Sequence, residues 1–160
     1  KKTKAIITIM DSDGKVIEIY RANAQEWSTM TRNILDLVRK HRATVTIEVN
    51  SIGDVIYEMI AKEWQDTHPF QTTSKSKTEI IEGLILDVNE ANIQIPSKKL
   101  WPYLYDELSV FTYEYNPKTR SIKYGHPSGF HDDTVISLAL ANYSRKQMKS
   151  YGTYVIMGKR

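Results

Sequence analysis

The stretch GFHDDTVISLALANYSRK, residues 129–146, decides the fold because it joins a long apolar helix to two adjacent carboxylates. Its apolar side chains recur at the spacing of one helix face, at Val135, Ile136, Ala139, Leu140 and Tyr143. Asp132 precedes Val135 by three positions and Ile136 by four, so the spacing predicts that Asp132 faces the sheet under this stripe. Asp133 lies at the edge of the stripe. Alternatively, either carboxylate only favours the positive N-terminal end of the helix.

A second carboxylate stands within a β-rich run, ATVTIEVNSIG, residues 43–53. The run alternates, with Val45, Ile47 and Val49 on one face and Thr44, Thr46, Glu48 and Asn50 on the other. A strand carboxylate in a sheet covered by helices is buried on either face, which is costly unless a positive charge neutralises it. Glu48 is therefore a candidate functional residue, and the alternative is an exposed face of an antiparallel sheet.

The rest of the chain alternates strands and helices, which indicates one α/β domain over residues 1–160 with a mixed sheet flanked by helices. Asp13 and Gly14 provide the turn of an opening hairpin, and Asn23 is the expected N-cap of the helix that follows. The predicted strands are 4–10, 15–21, 44–50, 69–74 and an extra β-hairpin at 110–127; the predicted helices are 23–41, 53–60, 77–92, 97–111 and 130–149.

Composition sets the class of protein. The chain has no cysteine, which excludes disulfides and thiolate metal sites, and no apolar run long enough for a membrane span. A cytosolic protein is expected. The net charge of +3 is compatible with a polyanionic partner but too small to indicate nucleic acid.

Carboxylate oxygens at one end of a sheet favour Mg²⁺ or Mn²⁺, whereas zinc favours imidazole or thiolate ligands. Two such ions, about 4 Å apart, activate a water and stabilise the leaving oxygen in phosphodiester cleavage. If Glu48 and Asp132 converge, the chemistry they predict is metal-dependent nuclease activity.

At this point the sequence resembles a known family. TVTIEVNSIGDVI (44–56), TTSKSKTEIIEGL (72–84) and GFHDDTVISLALA (129–141) are similar, in order and spacing, to segments of the ribonuclease H-like nuclease domain of the large terminase subunit of tailed bacteriophages. The resemblance covers nearly the whole chain. It implies a domain that cuts concatemeric double-stranded DNA when packaging starts and when the head is full. It also implies an ATPase domain upstream in a longer chain, the portal protein and the small terminase subunit as partners, and the host cytoplasm as location.

The resemblance also implies the site. Glu48 and Asp132 would be the catalytic metal ligands, with Asp133 a second candidate from the same motif. By its own chemistry, His131 beside them could move protons or orient a water, although a cap or packing role is the alternative. Basic residues near the site and on the second hairpin could hold DNA phosphates, unless they are only solvated surface: Lys75, Lys77, Lys118, Arg120 and Lys123.

One feature of the family is missing. The family carries a further acid on a central first strand, between the strands at 4–10 and 44–50, and nothing matches it before Lys1. Asp11 is a poor substitute because it ends its strand at the turn. We therefore expect a fragment with an incomplete site, its central strand omitted or supplied in another way. The segment at 150–160 is β-rich and is not assigned to an element; a tail that contacts the portal or another domain is one interpretation.

Two rival functions remain. Another ribonuclease H-like nuclease, such as a resolvase or transposase, would lack an upstream Walker-type ATPase. A nuclease-dead module would instead dock DNA or portal protein through the basic hairpin.

Overall fold

Strands and helices alternate in a computed structural model that describes residues 2–50, 53–147 and 154–159. The strands are β1 (Lys2–Met10), β2 (Val16–Glu26), β3 (Thr44–Glu48), β4 (Thr67–Phe70), β5 (Thr112–Asn116), β6 (Ser121–Gly125) and β7 (Tyr154–Lys159). The helices are α1 (Trp27–His41), α2 (Gly53–Ala61), α3 (Ser74–Asn89), α4 (Pro102–Val110) and α5 (Asp133–Gln147).

The opening hairpin forms as predicted, with Gly14 at a φ of 86° in its turn. The Asp11 carboxylate accepts the backbone N–H groups of Asp13 and Lys15 at 3.0 and 2.8 Å, which closes the turn. β2 continues to Glu26 because it stays paired with β1 to that point. The predicted N-cap at Asn23 is therefore wrong: Asn23 lies within β2, and tertiary pairing outweighs its local preference for a helix start.

The main sheet has five strands in the order β2-β1-β7-β3-β4. β7 pairs antiparallel with β1 and parallel with β3, so it fills the central position that the sequence left without a strand. The interpretation of residues 150–160 as a tail is thus wrong for 154–159. β7 begins with a continuous apolar run, residues 154–157, and it supplies the backbone partners that the inner edges of β1 and β3 need.

β3 lies between two parallel neighbours, β7 and β4. Thr44 and Thr46 are buried, and the Thr46 hydroxyl accepts a hydrogen bond from Ser144 Oγ of α5 at 2.8 Å. The alternative of an exposed antiparallel face for Glu48 is therefore excluded. Parallel strands are covered on both faces, as the fold class requires.

Helices cover both faces of the sheet. On one face, α1 and α2 pack against alternate residues of β1 and β3; this cluster includes Met30, Ile34, Val38, Ile56 and Ile60 with Ile7, Ile9, Val45 and Ile47. On the other, α3, α4 and α5 pack against the remaining positions; this cluster includes Ile80, Ile81, Leu84, Leu104, Val135 and Leu140 with Ile6, Met10 and Ile19. The result is a three-layer α/β/α arrangement.

α5 crosses the strands. Ser137 Oγ lies 2.8 Å from Thr8 Oγ1 on β1, and Ser144 reaches β3. Seven residues of helix span about 10 Å, which is close to the roughly 10 Å that separates strands lying two apart. The N-terminal end of α5 therefore lies on the β1 side and its later turns approach β3.

The final helix begins at Asp133, three positions after the predicted start at Phe130. α4 begins at Pro102, at a position where proline loses no helical hydrogen bond. Within the described part of the chain, no helix has the length and apolar content that crossing a membrane requires.

Candidate functional site

Glu48 is the last residue of β3 and pairs in register with Phe70 of β4, so it lies at the edge where two parallel strands end. Its side chain is half-buried, in contrast to the fully buried residues before it in the strand. Asn50 Nδ2 donates to Glu48 Oε1 at 3.3 Å. The carboxylate is therefore oriented by the loop that follows its own strand.

Asn50 joins the ends of β3 and β4. Besides Glu48, its Nδ2 approaches the backbone oxygen of Thr72 at 3.4 Å, and its Oδ1 accepts from Gln71 Nε2 at 2.8 Å. Thr73 then caps α3 by accepting the backbone N–H of Ser76 at 3.1 Å. The Glu-x-Asn spacing thus has a structural cause, since Asn50 ties the Glu48 strand to the start of α3.

Asp132 immediately precedes α5, and its side chain is fully buried. Lys77 Nζ of α3 donates to Asp132 Oδ2 at 3.0 Å, and His126 Nε2 lies 3.8 Å from Asp132 Oδ1. A buried carboxylate keeps its charge only where positive groups compensate for the lost water. Asp132 faces inward, as its spacing predicted, with a cation against it.

Each carboxylate is connected to the start of α3. Asn50 contacts both Glu48 and Thr72, which lies just before α3, and Lys77 in the first turn of α3 donates to Asp132. Both therefore belong to the end of the molecule where α3 begins. Convergence of Glu48 and Asp132 on one cation stays a prediction.

Asp133 and His131 lie further toward solvent. Asp133 is the first residue of α5 with a side chain 26% exposed, and His131 Nδ1 lies 4.0 Å from Asp133 Oδ2. The His131 side chain is 70% exposed, whereas His126, which the sequence did not single out, is the histidine near Asp132. Chain proximity favoured His131, and only the fold brings His126 back to Asp132. The catalytic role of His131 stays a prediction.

The sequence also missed Glu107 of α4. Its Oε2 accepts the backbone N–H groups of Thr134 and Val135 at 2.7 and 3.1 Å, and its Oε1 accepts from Thr134 Oγ1 at 2.9 Å. Glu107 thus caps α5 from another helix. Burial raises the pKa of Glu107, although the hydrogen bonds from Val135 and Thr134 oppose that rise. No local spacing signals a cap that comes from 27 residues away.

The five basic candidates fall into two groups. Lys75 and Lys77 lie in the first turn of α3, and Lys77 is directed at Asp132. Lys118, Arg120 and Lys123 are exposed on the β5–β6 hairpin. Contact of these side chains with phosphate stays a prediction.

Glu48 and Asp132 each offer carboxylate oxygens, the donor type that a hard cation such as Mg²⁺ prefers. The described residues, 2–50, 53–147 and 154–159, hold no group of three or more His, Asp or Glu side chains that could hold a metal ion. β7, with the sequence YVIMGK, adds no acid at the central position. The carboxylates present do not by themselves form a two-metal set.

No family model and no curated protein matches the chain. Its structure is similar to the crystal structure of the large terminase nuclease from thermophilic phage G20c, with a TM-score of 0.71. The match has 24% sequence identity and covers 90% of this chain and 76% of that chain. The chain has the fold of a large terminase nuclease. This structural similarity confirms the expected ribonuclease H-like architecture.

Proposed function

We propose that this chain is the nuclease domain of a viral DNA-packaging terminase and cuts concatemeric double-stranded DNA at the start and end of packaging. The observation that carries the proposal is the buried carboxylate of Asp132 before the last helix of a terminase nuclease fold. A fully buried acid held by a lysine is costly to maintain for packing alone. Its place at the start of α5, where the family resemblance puts a metal ligand, gives that acid a use.

Glu48 and Asp132 would hold Mg²⁺ or Mn²⁺, with Asp133 as a further ligand. The bound metal supplies activation of a water and stabilisation of the leaving oxygen. Asn50 fixes the orientation of Glu48, and Lys77 places its ammonium group 3.0 Å from Asp132 Oδ2. Glu107 holds the first turn of α5 in place, so that Asp132 and Asp133 keep their positions.

The same resemblance suggests the setting. We place the domain downstream of an ATPase domain in a longer chain, at the portal of a procapsid in the host cytoplasm. The portal protein and the small terminase subunit would be its partners.

The experiment is nicking of supercoiled plasmid with Mn²⁺ or Mg²⁺ by the longer chain that includes the residues upstream of Lys1, since the carboxylates in the described part of the 160-residue chain do not by themselves form a two-metal set. We expect metal-dependent nicking that falls at least about 100-fold in Glu48→Gln and in Asp132→Asn, because each loses an ionised ligand for the metal-stabilised transition state. Asp36→Asn is the matched control, since Asp36 is an exposed carboxylate on α1, across the sheet. Cleavage unchanged in either site variant contradicts the assignment.

One observation favours a second function, a non-catalytic DNA or portal docking module. The central strand β7 carries no acid, and Lys77 already provides Asp132 with a cation. For this rival, the same longer chain, extended upstream of Lys1, binds DNA but neither nicks it nor takes up Mn²⁺ in calorimetry. Mn²⁺ uptake that Asp132→Asn abolishes rules it out.

A further inference from the structure

The β5–β6 hairpin carries an aromatic face whose outer part does not pack against the core. Cross-strand pairing places Tyr113 opposite Tyr124 and Tyr115 opposite Ile122, so these four side chains share one face. Tyr113 is 63% exposed and Tyr115 is 56% exposed. Large rings displayed in a row on an exposed ribbon indicate a binding surface rather than packing.

The base of this face is anchored and its outer part is open. Tyr124 stacks on Phe111 with centroids 6.5 Å apart and an interplanar angle of 6°, and Tyr113 lies 6.3 Å from Tyr124. Tyr124 also directs its hydroxyl to Glu82 of α3, at 3.4 Å. The aromatic face is therefore fixed to the domain at Tyr124, while the rings of Tyr113 and Tyr115 are exposed to solvent.

The turn of the hairpin is positively charged and locally ordered. Asn116 Oδ1 accepts the backbone N–H groups of Lys118 and Thr119 at 3.0 and 3.4 Å, and Arg120 adopts a left-handed φ of 54°. Lys118 and Arg120 are both exposed. Cations at the tip and rings along one face match a ligand with phosphates and flat bases.

We propose that the hairpin binds an unpaired DNA strand, with bases stacked on Tyr113 and Tyr115 and phosphates near Lys118 and Arg120. Unpaired bases expose the flat faces that tyrosine rings stack on, whereas a duplex keeps its base faces inside the helix. Duplex DNA can therefore contact Lys118 and Arg120 through its phosphates, but it offers no base faces to stack on the tyrosine rings. This activity goes beyond cleavage and needs no metal.

The test measures fluorescence anisotropy of an oligo(dT) strand and of a duplex of equal length, with the 160-residue chain in EDTA. We expect Tyr115→Ala to weaken oligo(dT) binding on the order of 10-fold and duplex binding less than about twofold. Tyr115→Phe keeps the ring and is expected to bind like the parent protein. Lys118→Ala should weaken the binding of both the single strand and the duplex, and should lower the salt dependence of each affinity.

Leu100→Ala is the control for loss of exposed apolar surface, since Leu100 is 72% exposed outside the hairpin. Unchanged oligo(dT) affinity in Tyr115→Ala overturns the proposal. An equal loss of affinity for oligo(dT) and for the duplex also overturns it. Loss of self-association in Tyr115→Ala, seen by sedimentation without a change in oligo(dT) affinity, assigns the face to a second copy of the chain and also overturns it. EDTA excludes cleavage, so failure here is distinguishable from failure of the nuclease assignment.

Discussion

Glu107 fixes the point at which α5 begins, and with it the positions of Asp132 and Asp133. Its carboxylate satisfies two backbone N–H groups and one hydroxyl at the start of that helix. A glutamine can keep all three contacts, because its oxygen can accept both N–H groups while its NH₂ group donates to Thr134 Oγ1. Comparing a glutamine with an alanine at position 107 therefore separates the effect of the helix cap from the effect of the charge.

We expect Glu107→Ala to lower the free energy of unfolding by about 2 kcal/mol, since buried N–H groups lose their acceptor. Glu107→Gln should match or exceed the parent protein at pH 7. Burial raises the pKa of Glu107 in the folded state. Below the unfolded pKa of about 4.3, Glu107 is protonated in both states and its charge costs no stability. As pH rises through the folded pKa, ionisation of Glu107 destabilises the fold. Urea unfolding at pH 4 and pH 7 checks this; a Gln variant weaker than Ala at pH 7 contradicts it.

At the scale of elements, Asp87 ties α3 to α5. Its buried carboxylate accepts from Asn142 Nδ2 at 2.6 Å and from Lys146 Nζ at 2.9 Å on α5, and from Asn92 Nδ2 at 3.1 Å. Desolvation alone would raise the pKa of Asp87, but the hydrogen bonds from Asn142, Lys146 and Asn92 together lower it. Lys77 and Asp132 make the second tie between these helices, at the candidate site.

Asp87→Asn is therefore expected to lower the free energy of unfolding by roughly 2 kcal/mol at neutral pH. Lys146 loses its counter-charge, and the new amide faces the amide of Asn142. With a lowered folded pKa, the stabilisation by Asp87 is present above the unfolded value near about 3.9 and is lost as pH falls through the folded pKa. Urea denaturation from pH 7 down to pH 2.5 should show the two proteins converging at the acid end. A constant difference at every pH would refute this origin.

At the scale of the whole molecule, β7 completes the sheet. It hydrogen-bonds to β1 on one side and β3 on the other, and it joins the hairpin half of the sheet to the Glu48 half. Every N–H group of a central strand faces a neighbouring strand, whereas an edge strand tolerates proline, as Pro69 in β4 illustrates.

Ile156→Pro should lower the free energy of unfolding by about 3 kcal/mol or more, because it removes a ladder hydrogen bond within the sheet. Ile156→Val keeps the N–H group and is the matched control. Thermal unfolding followed by circular dichroism checks the difference. Equal melting temperatures for the two variants would show that β7 does not hold the central position.

Local pattern predicted the elements whose signal lies within a few residues. The Asp13–Gly14 turn, the apolar stripe of α5 and the inward direction of Asp132 follow from turn chemistry and helical period alone. Asn23 was predicted wrongly because strand pairing extends β2 past a residue that locally favours a helix start. Boundaries depend on partners that local preference does not include.

Local pattern is sufficient to predict an α/β chain with carboxylates at a strand end and at a helix start, because side-chain period and turn residues act over short distances. Long-range contacts place β7 at the centre of the sheet, bring Lys77 and His126 to Asp132, and cap α5 with Glu107. These contacts join residues far apart in the chain, and they form because buried backbone edges and buried charges must find partners wherever the fold supplies them.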